Sequence, residues 1–154
     1  MRRIYLQHTT VSPSKSVQEI IEEITMRGAT QVRQDWGPGK VLLGLYFSID
    51  VNGVMLPVEL PARVGPMKAL IKREMGPRQR QNDEKINEMA TRIVWRQLAA
   101  WIRAQMALVD LQMAKPEEVF LPYIQVAPGR TVFSVIQDSG FKMKALGAGK
   151  GESS

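Results

Sequence analysis

Hydrophobic and polar positions alternate most clearly in the stretch where Val41, Leu43, Leu45, Phe47, Ile49 and Val51 take every second place against Leu42, Gly44, Tyr46, Ser48 and Asp50. A period of two puts these sets on opposite faces of a strand. Asn52-Gly53 follows, a strong signal for a two-residue hairpin turn. Such a turn pairs Val51 with Val54, Ile49 with Leu56, Phe47 with Val58 and Leu45 with Leu60. All eight are apolar, so register and burial agree. In this register Pro57 and Pro61 turn their amide positions away from the partner strand. The segment from Val54 to Leu60 is therefore predicted to be a sheet edge, blunted against aggregation by its prolines.

The flanking patterns supply the other elements. Ser12-Pro13 opens a helix in which Ser16 and Glu19 have capping-box spacing, Val17, Ile20, Ile21 and Ile24 form one apolar stripe, and Gly28 marks the end. Arg3 to Thr10 reads as a short β-rich stretch, and Thr30 to Trp36 as a strand followed by the turn Gly37-Pro38-Gly39. Gly65 to Met75 predicts a short helix, Arg78 to Asn82 an exposed loop, and Asp83 to about Met113 one long helix without internal Gly or Pro. That helix is apolar nearly all round in its C-terminal half, as expected for the centre of a core or for a homo-oligomer interface. Val119 to Val126 reads as a last strand and Val132 to Asp138 as a final helical turn. The expectation is a single α+β domain over residues 1–144: an antiparallel sheet of three to five strands, with one amphipathic helix and one long helix packed on one face. Residues 145–154 lack apolar anchors and are expected to be a disordered tail.

A chain of 154 residues is long enough to bury one core without staples. It has no cysteine and one histidine, His8, so neither a disulfide framework nor a thiolate or histidine metal site is expected. No cofactor motif is present; Gly147 to Gly151 lacks the spacing and following helix of a phosphate loop. The run Val41 to Phe47 is far short of the roughly 20 apolar residues of a membrane span. Met1-Arg2-Arg3 leads into no signal-peptide core, which predicts a soluble cytoplasmic protein without a membrane partner.

Charge sharpens the picture. Between Arg63 and Arg103 ten bases face four acids, an excess of six that equals the formal charge of the whole chain, so the remaining 11 bases and 11 acids cancel. A localised positive field attracts polyanions. On the long helix Lys85, Arg92, Arg96 and Arg103 recur on one face, and Lys68, Lys72, Arg73, Arg78 and Arg80 extend the set. These nine are the predicted nucleic-acid-binding residues, reading phosphates of DNA or RNA without distinguishing the two. The competing reading of the same face is a solvated surface neutralised by Glu88 and by acids elsewhere.

Trp36 and Tyr46 are further contact candidates, since single-strand binders stack bases on aromatic rings. Trp101 lies on the apolar stripe and is expected in the core. Catalysis finds no support. Asp50 and Glu59 share the outward sheet face but stand about 13 Å apart along the strand, too far for a two-metal pair. The nuclease pattern Asp, then Glu-x-Lys, fails because Pro61 occupies the lysine position. His8 has hydroxyls nearby without the glycines of a nucleophile elbow.

The helix, three-strand, helix order from Ser12 to Met113 resembles the topology of double-stranded RNA-binding domains, although only Lys68 and Lys72 stand where that family clusters lysines. The same order is similar to that of single-strand annealing proteins. Thr9-Thr10-Val11-Ser12-Pro13, Leu60-Pro61, Trp95-Arg96, the stretch from Trp101 to Leu108 and Glu118 to Tyr123 resemble small uncharacterised proteins of tailed bacteriophages and prophages. That resemblance implies a viral or prophage accessory protein in a bacterial cytoplasm. The expected function is non-enzymatic, sequence-tolerant nucleic-acid binding. The alternative is a protein-interaction or oligomerising module, in which Met89, Met106 and Met113 of the long helix form the interface.

Overall fold

The computed structural model describes residues 4–75 and 82–142. Arg78, Arg80 and the tail from residue 145 lie outside the described residues. Helix α1, Pro13–Thr25, begins one turn before the Ser16 capping box. Ser12 is its N-cap, accepting from the Lys15 N–H at 3.2 Å, and Pro13 supplies a preset first helical φ. Ser16 is consequently buried inside the helix, and the Glu19 side chain is left to bond elsewhere.

Strands β1 (Thr30–Gly37), β2 (Val41–Val51) and β3 (Val54–Glu59) form an antiparallel sheet in the order β1-β2-β3. The hairpin register is the predicted one: Val51 faces Val54, Ile49 faces Leu56 and Phe47 faces Val58, and the Leu60 N–H donates to the Leu45 carbonyl at 3.1 Å. Asn52 and Gly53 hold φ values of 53° and 86°, the left-handed pair that this turn demands. At the other end of β2 the alternation fails. Asp35 pairs with Gly44 but Trp36 pairs with Leu42, a bulge at Leu43. Leu42 therefore enters the core while Leu43 is 56% exposed, the reverse of the simple period-two reading. β3 is the edge of this sheet, although Val58 bridges to Ile124 on its free side and closes part of that edge.

The N-terminal stretch is not a strand. Gln7 and Thr9 donate to the carbonyls of Ile4 and Leu6 in consecutive turns, Ile4 is buried beside Ile86 and Ile93, and Gln97 donates to the Tyr5 carbonyl at 2.7 Å. Its backbone thus closes local turns, and Ile4 packs on the helix that carries Ile86 and Ile93 rather than in a sheet. Helix α2 spans Val64–Glu74 and helix α3 spans Asp83–Asp110, short of Met113. Nor is the segment from Val119 to Val126 one strand. It is divided among helix α4 (Pro116–Phe120), a 3-10 turn (Leu121–Tyr123) and β4 (Gln125–Ala127), which pairs with β5 (Arg130–Thr131) before helix α5 (Val132–Asp138). Pro116 and Pro122 sit at the starts of helical turns, where a fixed φ and a missing N–H cost nothing.

Two apolar clusters share α3. The larger joins Leu45, Phe47, Val58 and Leu60 of the sheet segment to Ile20 and Ile24 of α1, Ile102 and Met106 of α3, and Phe120. Phe120 meets Phe47 edge to face at 5.2 Å. The smaller lies between α2 and the first half of α3, around Ile71, Ile86, Ala90 and Ile93. The other sheet face carries the polar side chains Arg33, Tyr46 and Glu59, with hairpin β4–β5 beside it at the β3 edge.

Candidate nucleic-acid interface

Helices α1 and α3 run in parallel, tied at two levels. Near the C-terminal ends, Arg27 donates to both Asp110 oxygens at 2.9 and 2.6 Å and to Glu23 at 2.9 Å. Bonding to Arg27 holds the Asp110 carboxyl below its ordinary range. One level earlier, Arg96 donates to Glu19 and lowers the Glu19 pKa. Among the predicted contacts Arg96 is therefore spent within the fold, its side chain 17% exposed.

Lys68 and Lys72 converge on the other end of α3. They reach the two oxygens of Asp83 at 2.9 and 2.7 Å, and together they push its pKa down to about 2. The spacing of four puts both ammonium groups on one face of α2, and Asp83 opens α3, so this exposed triad bridges the two helices beside their apolar contact. Arg63, Arg73, Lys85, Arg92 and Arg103 form no ion pair with any described residue. Arg63, Arg73, Lys85 and Arg103 are exposed and Arg92 is half-buried. Arg103 also lines a cleft of about 240 Å³ with Glu19, Glu22 and Glu23, so the carboxylates of α1 screen the last part of the row. The uncancelled charge on α3 is thereby weighted toward Lys85 and Arg92.

The tryptophans divide by role. Trp95 is fully buried and donates its indole N–H to the Leu42 carbonyl at 3.0 Å. Trp101 packs edge to face against Phe120 and Tyr123 at 6.2 and 5.8 Å. Trp36 is 44% exposed. Its cross-strand partner Leu42 points inward, so Trp36 lies at the rim of the helix-bearing side. It does not share a face with Tyr46. Met106 is core and Met89 is packed on the smaller cluster, which leaves Met113 alone of the three methionines exposed. Of the weighed catalytic residues, Asp50 caps the hairpin turn through the Gly53 N–H at 2.8 Å. Glu59 lies opposite Tyr46, as the register requires.

The outward sheet face holds a constellation whose other members were not legible as a site in the sequence. Arg33, Tyr46 and Glu59 stand directly across from one another on β1, β2 and β3. The Arg33 guanidinium lies over the Tyr46 ring, 4.2 Å from its centroid. The Tyr46 hydroxyl donates to one Glu59 oxygen at 3.3 Å, and Gln125 donates to the other at 3.2 Å. Burial, then the Glu59 charge, raises the Tyr46 pKa, so the hydroxyl stays a donor. Gly44 makes room for the ring, since a Cβ there would meet Tyr46 at 3.0 Å. These side chains line a cleft of about 600 Å³ roofed by Val126 to Gly129. Glu59 and Gly129 also line a neighbouring cleft of about 240 Å³, which Arg63 lines as well. Pro61 and Arg63 then line a third, of about 410 Å³, against Met67, Leu70 and Trp101. The first and second clefts thus share Glu59 and Gly129, and the second and third share Pro61 and Arg63. Comparison of the chain with known protein families, with curated proteins and with solved structures gives no match.

Proposed function

We infer that the protein binds nucleic acid without catalysing a reaction on it, through phosphate contacts on α2, α3 and the β3–α2 connection. The observation that carries this reading is the set Arg63, Arg73, Lys85, Arg92 and Arg103, cations without an ion pair to any described residue. A fold that neutralised its basic window internally would have paired these as it pairs Lys68, Lys72 and Arg96. The contact set is accordingly revised: Arg63, Arg73, Lys85 and Arg92 carry the phosphates, Arg103 contributes less beside the α1 carboxylates, Lys68 and Lys72 contribute field from their triad with Asp83, Arg96 drops out, and Arg78 and Arg80, outside the described residues, stay in the set. A viral or prophage accessory role accords with the resemblance of the sequence segments quoted above. Fluorescence anisotropy with labelled single and double strands at about 50 mM salt tests the reading, since phosphate contacts are strongest there. Micromolar or tighter binding is expected; no binding to DNA or RNA overturns it.

A second reading, a protein-interaction module, is favoured by a different observation. Val126, Phe133, Val135 and Phe141 of the C-terminal segment are large apolar side chains with 37% or more of their surface exposed. An interface in this protein would then be sought there rather than along the methionines of α3.

A further inference from the structure

The outer-face cleft has a chemistry distinct from the basic helices. We propose that Arg33, Tyr46, Glu59 and Gln125 hold one unstacked nucleobase of a single strand, favouring cytosine over thymine. The proposal rests on the nucleic-acid reading and adds the form of the ligand to it.

The stacking plane is the guanidinium of Arg33. One side of it lies on the Tyr46 ring, and the side chain is 65% exposed, so its other side faces solvent. Arginine planes stack on splayed-out bases, and a guanidinium already resting on a ring loses little freedom when a base is added. The edge-reading group is Glu59. Its two oxygens are fixed by Tyr46 and Gln125, each by one hydrogen bond, and each retains a second acceptor site. A carboxylate accepts from the cytosine 4-amino group, whereas thymine presents a carbonyl oxygen at that place and is repelled.

Charge selects the same class of ligand. Arg33 is bonded to Asp35 at 3.2 Å and faces Glu59 across Tyr46, so one cation stands among two anions. A phosphate gains nothing there, while a neutral planar ring with a donor edge does. The volume, about 600 Å³, is ample for one base. Glu59 also lines the neighbouring cleft that Arg63 lines, so a cation with no ion-pair partner among the described residues stands one cleft away from the base site. A duplex keeps its bases stacked and cannot use the cleft.

Anisotropy titrations with labelled oligo-dC, oligo-dT and a duplex, each about 20 nucleotides long to exceed one domain's site size, test this. Oligo-dC should bind about tenfold more tightly than oligo-dT, the worth of one charge-assisted hydrogen bond. Glu59→Gln should erase that ratio, weakening oligo-dC and strengthening oligo-dT, because the charge that repels thymine is gone and an amide can face either base. Arg33→Ala should weaken both single strands and leave the duplex unchanged. Equal affinity of the unaltered protein for oligo-dC and oligo-dT overturns the base site whatever the variants do, and leaves the phosphate contacts standing. Failure to bind any of the three probes, or their RNA counterparts, overturns both readings. Binding of oligolysine that Glu59→Gln abolishes, with no dC preference, assigns the cleft to cationic peptides instead.

Discussion

Arg96 on α3 donates to the carboxylate of Glu19 on α1, bridging helices whose bonded residues lie 77 positions apart in the chain. With the Arg96 side chain 17% exposed and Glu19 40% exposed, the pair is half-shielded from water. Arg96→Ala should cost about 1 kcal/mol, at the upper end for an exposed pair. A double-mutant cycle with Glu19→Ala, followed by urea unfolding, should show coupling. Per folded molecule, nucleic-acid affinity should not change. An Arg96→Ala protein of unaltered stability and reduced affinity would return Arg96 to the binding surface.

Acid should loosen the same joints. The Glu19, Asp83 and Asp110 carboxyls all have folded pKa values below their ordinary ones, Asp83 at about 2 through Lys72 and Lys68. A depressed folded pKa means that the unfolded chain takes up protons first as pH falls. Stability from these groups is therefore full above about pH 5 and is lost progressively as pH falls toward 2. Thermal unfolding followed across this range should show a falling Tm. The Asp83→Asn variant should show a shallower fall, and an identical profile would mean that the Lys68 and Lys72 contacts contribute nothing.

Trp95 tests the core. Trp95→Phe keeps most of the apolar contact but strips the hydrogen bond from the Leu42 carbonyl, beside the bulge that turns Leu42 inward. A loss of about 1 to 3 kcal/mol is expected for that unsatisfied acceptor together with the reduced packing, read from the urea midpoint. Trp95→Ala should cost about 3 to 5 kcal/mol. A neutral Trp95→Phe would show that Leu42 finds another donor.

Pro57 is exposed on the edge strand and pairs with Ser48. Pro57→Thr should change stability by about 0.5 kcal/mol or less, while the new outward N–H makes the edge more adhesive. Light scattering at rising protein concentration reads the second effect. A large stability loss would contradict the assigned orientation of the Pro57 nitrogen.

Local rules made the hairpin readable from sequence, because Asn52-Gly53 and four cross-strand apolar pairs act within twenty residues of chain. The bulge at Leu43 was not readable, since the partner strand β1 imposes it. The segment from Val119 to Val126 misled because the same apolar residues suit a buried strand and a helical turn, and Pro122 tips the choice without altering the pattern. The basic window was legible as charge, but which of its described bases pair with described acids was not. Glu19 and Asp83 claim their partners through helix packing, which no local spacing encodes. The Arg33 contact with Tyr46 likewise needed the register of β1, where positive φ at Gln31 accompanies an irregularity in the pairing.

Neutralisation of phosphates by the bases of α2 and α3 that pair with no described acid is read from the salt dependence of single-strand affinity. The logarithm of the association constant should fall linearly with the logarithm of salt concentration, by about 0.7 per phosphate contact. Lys85→Ala and Arg92→Ala should each flatten that slope by about one contact and weaken all sequences alike. Affinity that is indifferent to salt, or slopes that both variants leave unchanged, would show that these bases do not neutralise phosphates.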